Sequence, residues 1–356
     1  MTTAQKNPES DIKALIAGPA GQYSPKRLAA LISPEAGDNL EEMAQRAHAL
    51  TVQRFGRTIR LYAPLYLSNY CTNNCLYCGF NSKSGIAARR LSIDEACAEA
   101  DIIAGEGFRD ILLVSGEDRE FVTVDYLAKL ASRLRDRFSF IAVEIYQMTR
   151  DEYVRLFEAG IDGVTLYQET YDRDIYAQYH LAGTKADYDR RLAALEDAAA
   201  AGVREIGMGV LLGLADWRSE TLALAEQAQS LSKKYWQSHI SFSFPRLRPA
   251  NKVDTACFKH ILSDKDLTQM VLALRLCFAD AGLVLSTREP AHLRDHLVNL
   301  GITRMSAGSK TSPGGYSMPN NAVEQFEVCD TRSPAEISAM LKKAGLEAVW
   351  KDGLGL

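Results

Sequence analysis

Ala63-Pro-Leu-Tyr-Leu-Ser-Asn-Tyr-Cys-Thr-Asn-Asn-Cys-Leu-Tyr-Cys-Gly-Phe80 joins a short apolar run to a loop that carries three cysteines. The run 63–67 has the length and near-continuous hydrophobicity of a strand buried on both faces, as strands of parallel sheets are. The loop spaces Cys71, Cys75 and Cys78 as CxxxCxxC. Three thiolates this close together can each take one iron of a cubane 4Fe-4S cluster, whereas a ferredoxin-type site uses four. The fourth iron is then open, and an open coordination position separates a catalytic metal site from a structural one.

Outward from this stretch the same pattern recurs. Apolar runs at 110–114, 141–145, 163–167, 205–211, 239–244, 283–286 and, most weakly, 302–307 alternate with amphipathic segments. Ser92-x-x-Glu95 and Thr149-x-x-Glu152 are capping boxes that open two of these helices. Residues 187–201, rich in alanine and leucine, form a third. Eight buried strands alternating with helices predict an α/β fold closed as a (β/α)8 TIM-type barrel over 61–318. Residues 1–60 predict an N-terminal helical extension, with entry signals at Ser24-Pro25 and Ser33-Pro34-Glu35-Ala36 and helical spacing over 39–55. Residues 319–356 predict a C-terminal extension packing on the barrel. Ser333-Pro-Ala-Glu336 opens its helix, which runs to about 344.

Composition narrows the class. The chain has 356 residues, 47% hydrophobic and 24% charged, which one barrel absorbs as a globular protein. A net charge of −4 gives no electrostatic case for a nucleic-acid or anionic-membrane partner. No apolar run is long enough to span a bilayer, and the first ten residues lack the apolar core of a signal peptide. The expected location is cytoplasmic, where thiols stay reduced and open to iron. Seven cysteines, an odd number, argue against a disulfide framework. A zinc site on three of them would need a fourth ligand, and the nearest downstream histidine is His180. Cys97 and Cys277 fall in amphipathic helical patterns, as small buried residues do, and Cys257 and Cys329 have no ligand spacing.

In such a barrel the working residues lie at the C-terminal ends of the strands. The cysteine loop follows the first strand. Ser115-Gly116-Glu117 follows the second, Glu144 ends the third and Gln168-Glu169 follows the fourth. Pro245-Arg-Leu-Arg248, Thr287-Arg288-Glu289 and Ser306-Ala-Gly-Ser-Lys310 follow the sixth, seventh and eighth. Six polar clusters at corresponding positions point to one site.

Tyr77 before the last cysteine and Gly79-Phe80 after it match the signature of radical S-adenosylmethionine (SAM) enzymes. Pro64-Leu-Tyr-Leu-Ser-Asn69, Leu166-Tyr-Gln-Glu-Thr-Tyr171, Pro245-Arg-Leu-Arg-Pro249, Ser286-Thr-Arg-Glu289 and Ser306-Ala-Gly-Ser-Lys-Thr-x-Pro-Gly-Gly-Tyr316 are more specific. Together they resemble 2-iminoacetate synthase, the tyrosine lyase of thiamin thiazole biosynthesis. The resemblance implies a radical SAM barrel with a 4Fe-4S cluster and SAM as cofactors. It implies that SAM is cleaved to methionine and a 5′-deoxyadenosyl radical, which takes a hydrogen from L-tyrosine. The Cα–Cβ bond then breaks to 2-iminoacetate (dehydroglycine) and a benzylic fragment, which is reduced to 4-methylphenol. It also implies flavodoxin or ferredoxin as electron donor and thiazole synthase as complex partner.

The resemblance assigns Cys71, Cys75 and Cys78 to the cluster and Tyr77 to the adenine edge. Ser115, Gly116 and Glu117 stand where the superfamily's Gly-Gly-Glu-like motif holds the SAM amino group, with serine replacing the first glycine. Glu144 is assigned to ribose hydroxyls. Arg191 pairs with the SAM carboxylate or is a surface helix charge. For substrate, Arg288 and Lys310 are the candidate carboxylate clamps, with Ser306 and Tyr66 nearby. Arg246 and Arg248 are rivals for the clamp, and Tyr66 has the alternative of plain barrel core.

Three other readings compete. The tyrosine lyase of hydrogenase maturation carries a second cluster in a C-terminal region, for which this chain offers only Cys329. A lyase acting on tryptophan or another aromatic amino acid differs only in its ring pocket. A non-catalytic iron–sulfur electron carrier would be expected to bring four cysteines, and it has no use for charged strand ends.

Overall fold

The computed structural model describes residues 8–19, 21–318 and 322–351. The first residues of the leader and the 318/319 boundary fall at or outside the limits of this set. Eight strands form the barrel: β1 (Thr58–Ser68), β2 (Asp110–Ser115), β3 (Phe140–Glu144), β4 (Gly163–Thr165), β5 (Glu205–Gly209), β6 (His239–Ser243), β7 (Gly282–Leu285) and β8 (Arg304–Ser306). Each is hydrogen-bonded to its neighbour, all parallel, and β8 returns to β1. Every apolar run expected to be a strand is one, including the weak eighth.

Alternation along β1 shows how sequence sets the two layers. Leu61, Ala63, Leu65 and Leu67 join the large core shared with the surrounding helices. Tyr62 and Tyr66 instead pack with Phe80, Leu112, Val114, Phe140, Ala142 and Val284 inside the barrel. The β1–β2 register shifts between Tyr66 and Ser68, so a bulge bends the chain just before the cysteine loop.

The expected capping boxes at Ser92, Thr149 and Ser333 all form, opening the helices Ile93–Gly105, Arg150–Glu158 and Pro334–Lys343. The 187–201 expectation is met by a helix at Tyr188–Ala200 with Asp187 as its cap. In the leader, Ser24 caps Pro25–Leu31, and a longer helix runs Leu40–Phe55. Ser33-Pro34 leads only to a 3-10 turn, Ala36–Asn39, with the Ala36 N–H donating to Ser33 Oγ at 3.3 Å. The leader covers the outer face of the helix Asp264–Cys277, burying Leu28, Leu31 and Met43. The Gln269 amide ties the two together by donating to the carbonyls of Leu31 (3.0 Å) and Ser33 (2.7 Å). Cys97 and Cys277 are both buried, as small apolar residues.

The C-terminal segment does more than pack on the outside. Residues 347–349 form a ninth strand, β9 (Glu347–Val349), that was not expected. It runs parallel to Thr58–Arg60 of β1, and the Arg109 N–H donates to the Trp350 carbonyl at 3.0 Å. Before it, residues 322–333 cross the barrel mouth as a strap. Cys329 and Asp330 donate their N–H groups to the Thr287 carbonyl at 3.0 and 3.2 Å. The Asp330 carboxylate pairs with Arg294, both side chains at most 1% exposed, and with Arg332 at 2.7 Å. Breaking a buried pair by removing one partner leaves an uncompensated charge, which costs about 3–5 kcal/mol. Asp330→Ala is therefore expected to lower unfolding stability by about that amount in a denaturant titration.

Candidate active site

Two chambers open at the C-terminal ends of the strands, with about 970 and 540 Å³ of open space. They share Val114, Glu144, Tyr167, Pro245, Arg288 and Phe326 as walls, so they form one site. The upper chamber carries the three cysteines, and the lower one reaches into the barrel beside Tyr66 and Ser306.

The cysteine loop is shaped by the segment after β4, which pairs with it antiparallel. Leu76 N–H donates to Tyr179 O (3.0 Å), Asn74 N–H to Ala182 O (2.9 Å) and Leu181 N–H to Asn74 O (3.0 Å). Asn73 locks the pairing, donating to Glu117 Oε2 at 2.6 Å and accepting from the Lys185 N–H at 3.0 Å. A Cβ at Gly183 (φ 91°) would lie 2.1 Å from Asn73 Oδ1, so only glycine fits there.

The thiol set fits a cubane cluster better than a single ion. Among the described residues no three His, Cys, Asp or Glu side chains converge on one ion-sized point. A cluster asks for less, because each thiolate binds its own iron. His180, the only histidine in reach, spends both ring nitrogens elsewhere: Nε2 lies 2.7 Å from the Tyr77 hydroxyl and Nδ1 2.8 Å from the Tyr176 carbonyl. Burial holds its pKa down to about 3, so it is neutral. Burial also pushes the Cys71 and Cys75 thiols up, to about 11 and 12, so iron binding must displace their protons. The Glu117 N–H already points at Cys71 Sγ (3.3 Å), a donor of the kind that tunes cluster sulfurs.

Tyr77 lines the upper chamber, its hydroxyl held by His180. Ser115 and Gly116 line it too, and a Cβ on Gly116 would meet the Tyr70 carbonyl at 2.3 Å. Glu117 lies there, but its carboxylate accepts from Asn73, Arg119 and Thr184. It buttresses the cysteine loop, so the SAM amino group expected on it would have to share an occupied carboxylate. Glu144 faces both chambers, its pKa raised by burial against the opposing pull of Arg288 and a hydrogen bond from Tyr167. Arg191 is not a surface charge: it is 6% exposed, lines the upper chamber and donates to the Tyr167 carbonyl at 2.9 Å.

The substrate candidates separate. Arg288 lines both chambers with its guanidinium 3.4 Å from the Phe326 ring centroid, and no carboxylate among the described residues lies within ion-pair distance of it. Tyr66 and Ser306 line the lower chamber; the Tyr66 hydroxyl donates to Gln325 Oε1 at 2.7 Å, and Ser306 Oγ accepts from the Thr287 N–H at 3.0 Å. Lys310 is a correction. It is exposed and lines neither chamber, because the chain turns away at Gly308 (φ 60°), leaving its charge to act on Glu106 and Glu324. Arg246 is committed to Glu289 and Asp264; Arg248 also pairs with Glu289, at 2.8 Å, but lines the upper chamber with a buried Nε lacking a partner.

Several wall residues carried no signal beforehand. Gln325 and Phe326 come from the strap, whose backbone lies so close that a Cβ on Gly79 would sit 2.6 Å from the Gln325 carbonyl. Asn73, Tyr167 and Lys185 join the wall only through the fold. Lys185 was legible at best as a lysine in the loop after the fourth strand.

Comparison with known proteins agrees with this geometry. Residues 65–225 match the radical SAM superfamily and 243–347 the biotin and thiamin synthesis associated domain. The 2-iminoacetate synthases of Salmonella typhimurium and Escherichia coli are 43% and 42% identical over 94% of this chain and 88% of theirs. The solved [FeFe]-hydrogenase maturase HydG of Carboxydothermus hydrogenoformans is 36% identical, covering 97% of this chain and 80% of that one with a TM-score of 0.87. With its cysteine loop, its strand-end groups and these relatives, the chain belongs to the 2-iminoacetate synthase family of radical SAM enzymes.

Proposed function

We infer that this protein is a carbon–carbon lyase that cleaves L-tyrosine at Cα–Cβ to 2-iminoacetate and 4-methylphenol, for thiamin thiazole formation. The observation that carries the reading is one cavity that joins three cluster-spaced cysteines to an unpaired guanidinium, Arg288, above a slot lined by both apolar and hydroxyl side chains. When bound, the 4Fe-4S cluster and SAM supply a 5′-deoxyadenosyl radical able to take a hydrogen atom from the substrate. The protein's part is to place and shield. Cys71, Cys75 and Cys78 would hold three irons, and Tyr77, Ser115, Gly116, Glu117, Glu144 and Arg191 surround the space left for SAM. Arg288 offers its fork to the substrate carboxylate at the junction of the chambers. Leu112, Val114, Phe244 and Val284 offer the ring apolar contact, beside hydroxyls such as Ser243 and Ser306.

The site supplies no electron of its own, so an external one-electron donor, flavodoxin or ferredoxin, acts with it. The product imine hydrolyses readily, which favours direct handover to thiazole synthase. Among the described residues no helix is long and apolar enough to cross a membrane, in keeping with a cytoplasmic site of action.

Anaerobic reconstitution with iron and sulfide, then SAM, tyrosine and dithionite, tests the reading by mass spectrometry. 4-Methylphenol with 5′-deoxyadenosine and glyoxylate, the hydrolysis product of 2-iminoacetate, is the expected result. 5′-Deoxyadenosine without 4-methylphenol moves the substrate to tryptophan or another aromatic amino acid. A full cluster with no SAM cleavage at all returns the protein to an electron carrier.

A further inference from the structure

Gly308 (φ 60°) turns the chain after β8, and its N–H donates to the Arg332 carbonyl at 3.2 Å. The residues beyond it alternate: Ser309 and Thr311 are buried, and Lys310 between them is exposed. The turn that carries Lys310 away from the site thus carries Ser309 into it, onto the wall of the lower chamber and not the upper. Ser309 is 7% exposed, and its Oγ is shut off from solvent with no hydrogen-bond partner among the described residues. A buried polar group left unpaired is costly, and it is explained where a ligand brings the partner. Other hydroxyls of this chamber are spent within the protein. Tyr66 donates to Gln325 Oε1 at 2.7 Å, Thr311 Oγ1 to the Phe326 carbonyl at 3.4 Å, and Ser306 Oγ accepts from the Thr287 N–H at 3.0 Å. Ser243 hydrogen-bonds the Tyr167 hydroxyl.

We propose that the Ser309 hydroxyl pairs with the phenolic O–H of L-tyrosine, and that this bond sets the choice of tyrosine over phenylalanine. With the substrate carboxylate on Arg288 at the junction of the chambers, the ring extends into the lower one and brings its hydroxyl there. Leu112, Val114 and Val284 contact the ring of either amino acid, so they separate the two poorly. A serine hydroxyl both donates and accepts, so it can satisfy the phenol and be satisfied by it. Phenylalanine leaves Ser309 Oγ buried and unpaired, and a site built to hydrogen-bond a substrate hydroxyl rejects the analogue that lacks one. SAM is not the partner, because Ser309 does not line the chamber of the cysteines. The proposal rests on the reading that the protein takes L-tyrosine with its carboxylate on Arg288.

The test is a calorimetric titration of the reconstituted enzyme with SAM present and the cluster oxidised, so that nothing turns over. L-Tyrosine and L-phenylalanine are titrated into wild type, S309A and S309T. S309A is expected to weaken tyrosine binding roughly 5- to 150-fold, the penalty for leaving one buried polar group unpaired, and to leave phenylalanine no weaker. The preference for tyrosine then falls by the same factor. S309T keeps a hydroxyl and keeps the preference, even where its extra methyl weakens both ligands. An unchanged preference in S309A overturns the proposal, as does an equal loss of both ligands, which marks a purely structural residue. So does a preference lost in S309T to the same degree as in S309A. Wild-type enzyme that binds no tyrosine, or forms no 4-methylphenol from it on reduction, removes the tyrosine reading itself, a different failure.

Discussion

Alanine at any one of Cys71, Cys75 or Cys78 is expected to bring SAM cleavage below detection. Each thiolate holds a separate iron, and no spare donor stands by: His180 uses both ring nitrogens on Tyr77 and Tyr176. Glu117, whose N–H points at Cys71 Sγ, has its carboxylate held by Asn73, Arg119 and Thr184. A variant therefore loses an iron site, and the open fourth iron that gives SAM its place goes with it. Iron and sulfide counts, the visible spectrum and 5′-deoxyadenosine formation read the effect. Full cluster content and wild-type 5′-deoxyadenosine from any of the three variants would remove that cysteine from the ligand set. The fold is expected to survive, because the strands and helices around the loop are held by their own backbone ladders and side-chain caps.

Arg288→Ala is expected to cost tyrosine binding about 2–5 kcal/mol, the range for truncating one partner of a desolvated charge pair, or roughly 30-fold to a few thousandfold in KM. The cluster and tyrosine-independent SAM cleavage should stay close to wild type, since Arg288 contacts none of the cysteines. Arg288→Lys keeps the charge without the planar fork, and should fall between the two. An unchanged KM for tyrosine in the alanine variant would pass the clamp to Arg248, whose Nε is buried without a partner in the same chamber.

Much of this was written in the chain. Parallel strands buried on both faces leave apolar runs, so even the three-residue β8 could be seen as the tail of a longer pattern. The capping boxes were legible because each is a local contract between a hydroxyl and a glutamate three residues on. The cysteine spacing needed no fold at all. Where contacts are long-range the sequence is silent. Lys185 and Glu169 find each other only when the segment after β4 folds back on the cysteine loop. Gln325 and Phe326 sit in a strap without periodicity, and β9 is three partly exposed residues, too short for any pattern. Lys310 was misplaced because a strand end fixes where a loop starts, whereas the turn at Gly308 decides where it goes.

The pairing of β9 with β1 has a consequence for how the molecule comes together. Thr58 and Glu347 meet as neighbours although almost the whole barrel lies between them in sequence. Closing so large a loop adds little to the equilibrium cost, since that cost grows only with the logarithm of length. Its weight falls on kinetics, where long-range pairings slow the search. Seating of β9 is thus expected among the last events of refolding. Trp350, packed edge-on against Phe108 at 5.3 Å between centroids, moves with it. That indole is a built-in fluorophore, placed to report the moment at which the closed ring of eight strands receives its outer, ninth one.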